Sequence, residues 1–339
     1  MSKKRKVGII GCGKIFNRHV EAIETNSNDF ELVAICDIDQ NKISKYSTEH
    51  KVPGFLNYLE MLKKMKGKMN FVVIATPNSL HYPQAMNSLK HGYNILIEKP
   101  INFSHKKILA IAKYAKKLEG EAYAVLQVRY NPTVDLVKKA LDKKLLGEIH
   151  SISFVQRWQR PLEYFSDWRG DINIGGRTLY EVGIHYLDIL QLLFGIPKVL
   201  YTSTFQHKHK KVGIEDTILS VVQFGNKASG TIEVTIASEP RNLECSISIM
   251  GSRGFLKIGG AALDKIETAF FDNKSNETLW NKIQSNSSSS VKPNSYGTHV
   301  GSCPNHPKLY GEIAKGKGIK VEDAANSVKF IENLYLKEK

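Results

Sequence analysis

Cysteine is scarce in this chain of 339 residues: there are four, and no two of them form a Cys-x-x-Cys pair. Because structural zinc sites commonly use such pairs, no structural zinc site is predicted. His207 and His209 lie in a basic loop with no clear metal partner, so no other metal site is predicted either. Long apolar runs are also missing, since none reaches the roughly 18 residues that a membrane span needs. The apolar run that follows Lys-Lys-Arg-Lys at 3–6 is too short and too poorly ended to be a secretion signal. We therefore expect a cytoplasmic protein with no membrane partner.

Acidic residues are few as well: 33 Asp and Glu stand against 48 Lys and Arg, which gives a net charge of +15. Such an excess of positive charge fits either nucleic acid or a small substrate that carries phosphate. No basic run is interleaved with aromatic residues, and no zinc-finger or RNA-platform motif is present. We therefore predict no nucleic-acid partner.

The order of the predicted elements indicates an α/β fold of two domains, which is also what the length predicts. Strands such as 71–75 and 94–97 alternate with helices of about 10–15 residues, which is typical of a parallel, doubly wound sheet. Beyond residue 130, one strong helix at 178–194 is followed by a series of strands, typical of an antiparallel or mixed sheet. The predicted domains are residues 1–125 and residues 126–339.

A glycine-rich turn, Gly11-Cys12-Gly13, follows the first predicted strand and precedes a helix. Glycine lets the backbone approach a pyrophosphate closely, and the helix N-terminus supplies free N–H groups. The full dinucleotide pattern has Gly or Ala where this chain has Phe16. Asp37 nevertheless ends the second strand, where a carboxylate binds a ribose 2′-hydroxyl and repels a 2′-phosphate. The pattern therefore predicts NAD rather than NADP as the cofactor. The predicted contacts are Gly11, Gly13, Lys14, Ile15 and Asp37.

Two further motifs resemble those of the Gfo/Idh/MocA oxidoreductases. They are Ala75-Thr76-Pro77-Asn78-Ser79-Leu80-His81 and Glu98-Lys99-Pro100. A third family motif is an acid four residues before a histidine, here Glu181 and His185, although the family commonly has Asp first. The resemblance covers nearly the whole chain. It implies a Rossmann domain followed by an α/β domain with a large open, mainly antiparallel sheet. It also implies cofactor contacts at Thr76, Pro77, Asn78, His81, Glu98, Lys99 and Gln127.

Three residues are predicted to be catalytic: Lys99, His185 and Glu181. Removing hydride from a secondary alcohol requires the hydroxyl proton to leave, so a base must reach that oxygen. An imidazole has an ordinary pKa near 6.5, which makes His185 the candidate base. Lys99 would donate a hydrogen bond to the same oxygen and stabilise the developing alkoxide. The spacing of four residues puts Glu181 on the same helical face as His185.

The segments Arg157-Trp158-Gln159-Arg160-Pro161 and Asp167-Trp168-Arg169-Gly170 resemble a narrower group within the family. They are similar to dehydrogenases that oxidise the 3-hydroxyl of UDP-N-acetylglucosaminuronic acid during surface-polysaccharide biosynthesis. The stretch His306-Pro307-Lys308-Leu309-Tyr310 resembles the substrate site of sugar-nucleotide members. Guanidinium groups suit a carboxylate or phosphate. The predicted substrate contacts are Lys99, Arg129, Arg160, Tyr164, Arg169, His185, His306 and Tyr310.

Two other interpretations stay open: a dehydrogenase of another sugar or polyol such as inositol, and a non-catalytic NAD-binding sensor or regulator. The predicted partner is a sugar nucleotide. The resemblance also implies a 2-oxo acid that reoxidises bound NADH. We expect a homodimer or homotetramer, because the face of an open sheet needs covering.

Overall fold

The computed structural model describes residues 4–225, 227–287, 292–295 and 300–338, which form two compact units. Unit 1 holds the residues up to Leu126, and unit 2 begins at Gln127. This crossing lies one residue beyond the predicted domain boundary. The chain then returns to unit 1 at Asn173–Gly175 and again at His306–Val328, two segments that the prediction placed in the second domain.

Unit 1 is built on six parallel strands in the order β3-β2-β1-β4-β5-β6. The inner strands are apolar and buried on both faces, as expected where helices cover both sides of a sheet. This order has a switch point between β1 and β4, where doubly wound sheets bind dinucleotides. The strands are β1 Arg5–Ile10, β2 Phe30–Cys36, β3 Gly54–Phe55, β4 Phe71–Ile74, β5 Asn94–Ile97 and β6 Ala122–Ala124. The helices are α1 Phe16–Thr25, α2 Gln40–His50, α3 Tyr58–Lys64, α4 His81–Lys90, α5 His105–Lys117 and α9 His306–Ala314.

Helix α9 belongs to unit 1 because its contacts lie there. The Asn26 side chain at the end of α1 donates to the Pro307 carbonyl at 3.0 Å. The ring of Tyr310 packs 5.0 Å from that of Phe30. Further along, the Ala124 N–H donates to the Ile319 carbonyl at 2.8 Å, which extends the edge of β6. Contacts this distant in sequence leave no periodic signal, so the return to unit 1 was not predicted.

Unit 2 contains a seven-stranded sheet in the order β13-β12-β11-β7-β10-β9-β8. Every neighbouring pair is antiparallel except β7 and β10, so the predicted mainly antiparallel sheet is confirmed. The strands are β7 Ile149–Arg157, β8 Lys198–Phe205, β9 Thr217–Gln223, β10 Ser229–Thr235, β11 Glu244–Gly251, β12 Gly254–Gly259 and β13 Lys265–Phe271. The helices are α6 Pro132–Asp142, α7 Ile184–Phe194 and α8 Lys274–Ser285, while α10 Val321–Tyr335 starts in unit 1 and ends in unit 2.

The helix predicted at 178–194 is not regular throughout. It starts as one π-helical segment, Leu179–Gly183, and continues as α7. A π segment widens the turn by one residue, which a 3.6-residue periodicity cannot show. Among the described residues, no helix combines the length and the hydropathy that crossing a bilayer requires.

Candidate active site

The glycine turn after β1 is shaped by close backbone contact. Gly11 has φ +103°, and a Cβ placed there would lie 2.4 Å from the Ala75 carbonyl oxygen. Only glycine fits such a position. Phe16, which replaces the third small residue of the pattern, is fully buried with its ring 4.6 Å from that of Tyr46. Its bulk therefore points into the core, and the turn before Lys14 and Ile15 keeps the narrow cradle that a pyrophosphate needs.

The carboxylate of Asp37 lies beside this turn at the end of β2. It accepts the Cys12 N–H at 2.7 Å and the Asp39 N–H at 3.0 Å, and Lys42 Nζ lies 3.7 Å away. Burial raises the pKa of the Cys12 thiol to about 12, so the thiol stays neutral there. A fixed carboxylate next to the pyrophosphate cradle is the arrangement expected for binding the ribose of NAD.

The two motifs at the carboxyl ends of β4 and β5 are joined by His81. Its side chain is fully buried, with Nδ1 2.8 Å from the Pro100 carbonyl oxygen and Nε2 2.8 Å from that of Thr76. Burial lowers the pKa of His81, and the two neighbouring carbonyl oxygens, which favour the protonated ring, only partly oppose this. Both ring nitrogens therefore face the protein itself, and the residue fixes the loops that carry Pro77 and Lys99. Nearby, Asn78 Nδ2 donates to the Gly175 carbonyl at 2.8 Å.

Glu98 is the centre of a buried hydrogen-bond cluster in unit 1. Its Oε1 lies 3.2 Å from His19 Nε2 and 3.4 Å from His306 Nε2, and its Oε2 accepts the Lys99 N–H at 3.1 Å. On the other side of the first imidazole, His19 Nδ1 lies 2.9 Å from the Tyr310 hydroxyl. The cluster therefore holds the turn that presents Lys99.

The cluster differs from the prediction in two ways. His306 and Tyr310, predicted to contact substrate, are fully buried and face Glu98 and His19 instead, because α9 packs on α1. His19 itself was missed, since nothing local in the sequence links it to residue 98. Among the described residues, His19, Glu98 and His306 are also the set whose atoms, within 4.8 Å of one another, could hold a metal ion. Their separations are hydrogen-bond distances, so we interpret the set as a hydrogen-bond network.

This cluster predicts that the protein loses stability in acid. Burial lowers the pKa of His19, and the pKa of Glu98 lies well below its usual range because hydrogen bonds from two histidines outweigh burial. Both groups bind fewer protons when folded than when unfolded, so stability falls as the pH drops below about 6.5. Urea titrations between pH 7 and pH 5 should show a shallower pH slope in His19→Gln than in wild type, by up to about 1.4 kcal/mol per pH unit. The control His150→Gln, at an exposed position, should keep the wild-type slope. Equal slopes in His19→Gln and wild type would contradict the assignment.

In unit 2, Glu181 is held by two of the predicted residues. Its Oε1 accepts the Tyr164 hydroxyl at 2.7 Å and lies 3.4 Å from Arg169 Nε. The guanidinium groups of Arg160 and Arg169 each lie 5.3 Å from the centroid of the Tyr164 ring. Burial, and then the charge of Glu181, raise the pKa of Tyr164, so its hydroxyl stays protonated and donates. His185 follows one turn later on α7 and is 6% exposed.

Arg160 is a buried cation that forms no salt bridge among the described residues, although the Tyr164 and Glu181 side chains favour its charged form. It is 4% exposed, lies 4.7 Å from the Trp158 ring centroid, and donates through Nη1 to the Gln159 carbonyl at 2.6 Å. Its Nε has no hydrogen-bond partner among the described residues, and none of their carboxylates forms a salt bridge with it. Burial lowers the pKa of Arg160, yet a guanidinium keeps its charge at neutral pH. A buried charge of this kind is costly unless an anion pairs with it.

Arg129 and Gln127 have partners inside unit 2. Arg129 donates from Nε and Nη2 to the two carboxylate oxygens of Asp188, each at 2.7 Å. Gln127 Nε2 donates to the Ser302 hydroxyl at 3.1 Å. Asp188 lies on α7 three residues after His185 and was not singled out in the sequence. The Arg129 pair therefore ties the turn at 127–130 to the helix that carries His185.

The structure thus divides the predicted residues between the units. Unit 1 contains the glycine turn, Asp37, the 76–81 motif and Lys99, while unit 2 contains His185, Glu181, Tyr164, the three arginines and Gln127.

Comparison with known proteins gives matches over both units. The family model for the oxidoreductase family with an NAD-binding Rossmann fold, GFO_IDH_MocA, matches residues 5–126, and the GFO/IDH/MocA C-terminal domain matches residues 134–257. Glucose-6-phosphate 3-dehydrogenase of Bacillus subtilis (strain 168) is 27% identical over 260 residues, which is 74% of this chain and 73% of that protein.

Two solved structures match at higher coverage. The WlbA dehydrogenase of Chromobacterium violaceum, in complex with NADH and UDP-GlcNAcA, has a TM-score of 0.86 and 26% identity, over 99% of this chain and 94% of that one. The WlbA dehydrogenase of Bordetella pertussis, in complex with the same two molecules, has a TM-score of 0.87 and 26% identity, over 99% of this chain and 96% of that one.

Proposed function

This chain belongs to the Gfo/Idh/MocA family of oxidoreductases and uses NAD, and on that premise we propose that it oxidises the 3-hydroxyl of UDP-N-acetylglucosaminuronic acid. The observation that carries the substrate is Arg160, a buried guanidinium with no salt bridge among the described residues, in the unit that holds His185. An anionic substrate would offset the cost of burying this charge. UDP-GlcNAcA is the anionic sugar that the two WlbA dehydrogenases bind, and this supports the proposal.

In the proposed reaction, bound NAD supplies a hydride acceptor. The glycine turn would hold its pyrophosphate, and Asp37 would hold its ribose. His185 would take the proton of the 3-hydroxyl. Lys99 would donate a hydrogen bond to an oxygen of the substrate as negative charge develops on it. Glu181, which Tyr164 and Arg169 hold in place, supports the histidine from the preceding turn. The sugar would lose one hydride, which NAD accepts, and one proton, which His185 accepts, and would become a 3-ketone.

The carboxylate of Asp37 should determine the preference for NAD over NADP. Asp37→Ser should raise the ratio of kcat/KM for NADP to that for NAD by roughly 10- to 100-fold, because the carboxylate no longer repels a 2′-phosphate. Single-turnover rates at increasing concentrations of each cofactor, added to enzyme freed of NAD, measure the ratio without requiring NADH to leave. Asp39→Asn is the control, because it removes a neighbouring charge and keeps the oxygen that caps α2. An unchanged ratio in Asp37→Ser would place the ribose elsewhere.

Arg160 should contribute to substrate binding by pairing with an anionic group of the sugar nucleotide. Arg160→Gln should raise KM for the anionic sugar by roughly 10- to 100-fold, the loss expected for a hydrogen-bonded charge pair. The change in KM should shrink as salt is added, because the missing attraction is electrostatic. Arg253→Gln is the control, since Arg253 forms an exposed pair with Asp272. A KM unaltered by Arg160→Gln would remove this arginine from the substrate site.

A single-turnover assay with enzyme stoichiometric to NAD tests the substrate. We expect a reduced-nicotinamide signal with UDP-N-acetylglucosaminuronic acid and none with inositol or UDP-N-acetylglucosamine. Glucose 6-phosphate is included because the Bacillus subtilis relative is named for it. A signal with glucose 6-phosphate or inositol alone would replace the proposed substrate. No signal with any sugar, while NAD binds, would favour the sensor hypothesis.

The second proposed partner, besides the sugar nucleotide, is a 2-oxo acid. We propose that NADH stays bound and is reoxidised by a 2-oxo acid, which takes up the hydride and a proton and leaves as a 2-hydroxy acid. To test this reoxidation, 2-oxoglutarate is added after the first turnover of the single-turnover assay. The reduced-nicotinamide signal should then disappear, and a persistent signal would refute reoxidation by this 2-oxo acid.

We also propose a homodimer or homotetramer formed through the open face of the sheet in unit 2. Large apolar side chains are exposed there on the two neighbouring strands β8 and β9: Tyr201, Phe205, Leu219 and Val221. An apolar face of this kind marks an interaction site. Sedimentation should show a species of two or four chains, and a Leu219→Glu, Val221→Glu variant should dissociate. A wild-type protein that sediments as a monomer would refute the proposed oligomer.

A further inference from the structure

The start of the helix that carries His185 is held by four residues that are far apart in the sequence, and we propose that this set positions Glu181 and His185 for proton transfer. We name the set, Arg177, Glu215, Tyr335 and Glu338, the α10 clamp, because two of its members come from the end of α10 and the residues that follow it. The proposal rests on the proposed function, in which His185 is the base.

The clamp supplies hydrogen-bond acceptors to the first turn of the helix. The first N–H groups of any helix lack partners within it. Here the Thr178 N–H donates to Glu215 Oε1 at 3.1 Å, and the Leu179 N–H donates to the Tyr335 hydroxyl at 3.1 Å. The Tyr335 hydroxyl in turn donates to Glu215 Oε1 at 2.6 Å. A buried carboxylate at this end of the helix is also favoured by the helix dipole.

Arg177 connects these acceptors to Glu338. Its Nη1 and Nη2 donate to the two carboxylate oxygens of Glu338 at 2.7 and 2.8 Å, and its Nε donates to Glu215 Oε2 at 3.0 Å. Its guanidinium also lies 3.7 Å from the centroid of the Tyr335 ring. Paired hydrogen bonds of this kind fix direction as well as distance. They lower the pKa of Glu338, which is therefore ionised at neutral pH.

The clamp reaches Glu181 through the backbone. The Arg177 carbonyl accepts the Tyr180 N–H at 3.0 Å and the Glu181 N–H at 3.1 Å. The segment that follows is π-helical, and His185 stands directly after it. Because the rotation of each side chain about the helix axis depends on where the first turn is anchored, the clamp sets the directions of Glu181 and His185. Its members act on Glu181 and His185 through the backbone of the helix, so they are positioning residues.

Tyr335→Phe tests the clamp with a single-atom change. It removes the acceptor of the Leu179 N–H and the donor to Glu215, while the ring under Arg177 stays. With a 2-oxo acid present to reoxidise the bound cofactor, we expect kcat to fall by about 10-fold while KM for the sugar stays within about two-fold of wild type, the pattern of a misplaced proton acceptor. The isotope effect on kcat with C3-deuterated sugar should rise, because hydride transfer becomes slower relative to product release. A smaller folded fraction would not change that effect.

The matched control is Tyr93→Phe, which removes a buried hydroxyl that donates to the Leu62 carbonyl at 2.7 Å in unit 1. It should lower stability without altering kcat or the isotope effect. If Tyr335→Phe is insoluble, Glu338→Gln decides by the same two readouts, with Glu312→Gln, which loses an exposed pair with Lys315, as its control.

The outcomes separate this proposal from the proposed function. A wild-type enzyme that oxidises the sugar, with a clamp variant that loses thermal stability but keeps kcat and the isotope effect, would overturn the clamp alone. A wild type inactive with every sugar of the panel would overturn the proposed function instead.

Discussion

Lys99→Met is expected to lower kcat by about 10²- to 10³-fold, the loss usual when one donor to a developing oxyanion is removed. Methionine has nearly the length of lysine but no charge and no N–H donor. The residue is half-buried at the end of β5, and its own N–H is held by Glu98. The turn should therefore keep its shape, and NAD should bind as in wild type. Single-turnover rates and a separate NAD titration measure the two effects.

The control for this variant is Lys106→Met, on the exposed surface of α5. It removes the same charge from the same unit and should react at the wild-type rate. Near-normal turnover in Lys99→Met would rule out its proposed role. Loss of NAD binding along with turnover would show that Lys99 holds the cofactor and not the reacting oxygen.

His185→Asn should lower kcat by about 10²- to 10⁴-fold, the range for loss of a general base. Asparagine retains a polar side chain of similar width but does not accept a proton. In wild type, the rate should fall as the pH drops and the imidazole becomes protonated. In His185→Asn that acid limb should be absent, and the residual rate should rise with hydroxide concentration.

Substrate binding should change little in this variant, since Arg160 and Tyr164 remain. A His185→Asn enzyme with the wild-type rate and the same acid limb would assign the base to another group. The nearest candidate on the same helix is Glu181, which Glu181→Gln would then test.

The residues that could be predicted from the sequence are those whose role follows from local geometry. The turn at Gly11 needs a positive φ, and Asp37 ends the neighbouring strand, so both follow from a strand–turn–helix pattern. The α/β fold and NAD as cofactor are confirmed. Glu181 and His185 also share a helix, which a spacing of four residues indicates.

The surroundings of the other site residues depend on contacts between distant parts of the chain, which no local sequence pattern indicates. His306 and Tyr310 resembled a substrate site, yet α9 packs them against α1, where they support Glu98 with His19. Arg129 was grouped with the arginines predicted to bind an anion, and two of its N–H groups donate to the carboxylate of Asp188. Of the three arginines predicted to bind an anion, Arg160 is the one that forms no salt bridge among the described residues. Its burial arises only when the chain folds, so the sequence does not indicate it. The π-helical start at Leu179 is likewise anchored from residues 215 and 335.

The transferred hydrogen can be followed in a single turnover with UDP-N-acetylglucosaminuronic acid deuterated at C3, with mass spectrometry of the nicotinamide cofactor afterwards. We predict that the reduced cofactor carries the deuterium and that the sugar becomes a ketone at C3. Reduced cofactor without deuterium would show that another carbon is oxidised. An unreduced cofactor, with NAD bound and the sugar unchanged, would contradict the proposed reaction.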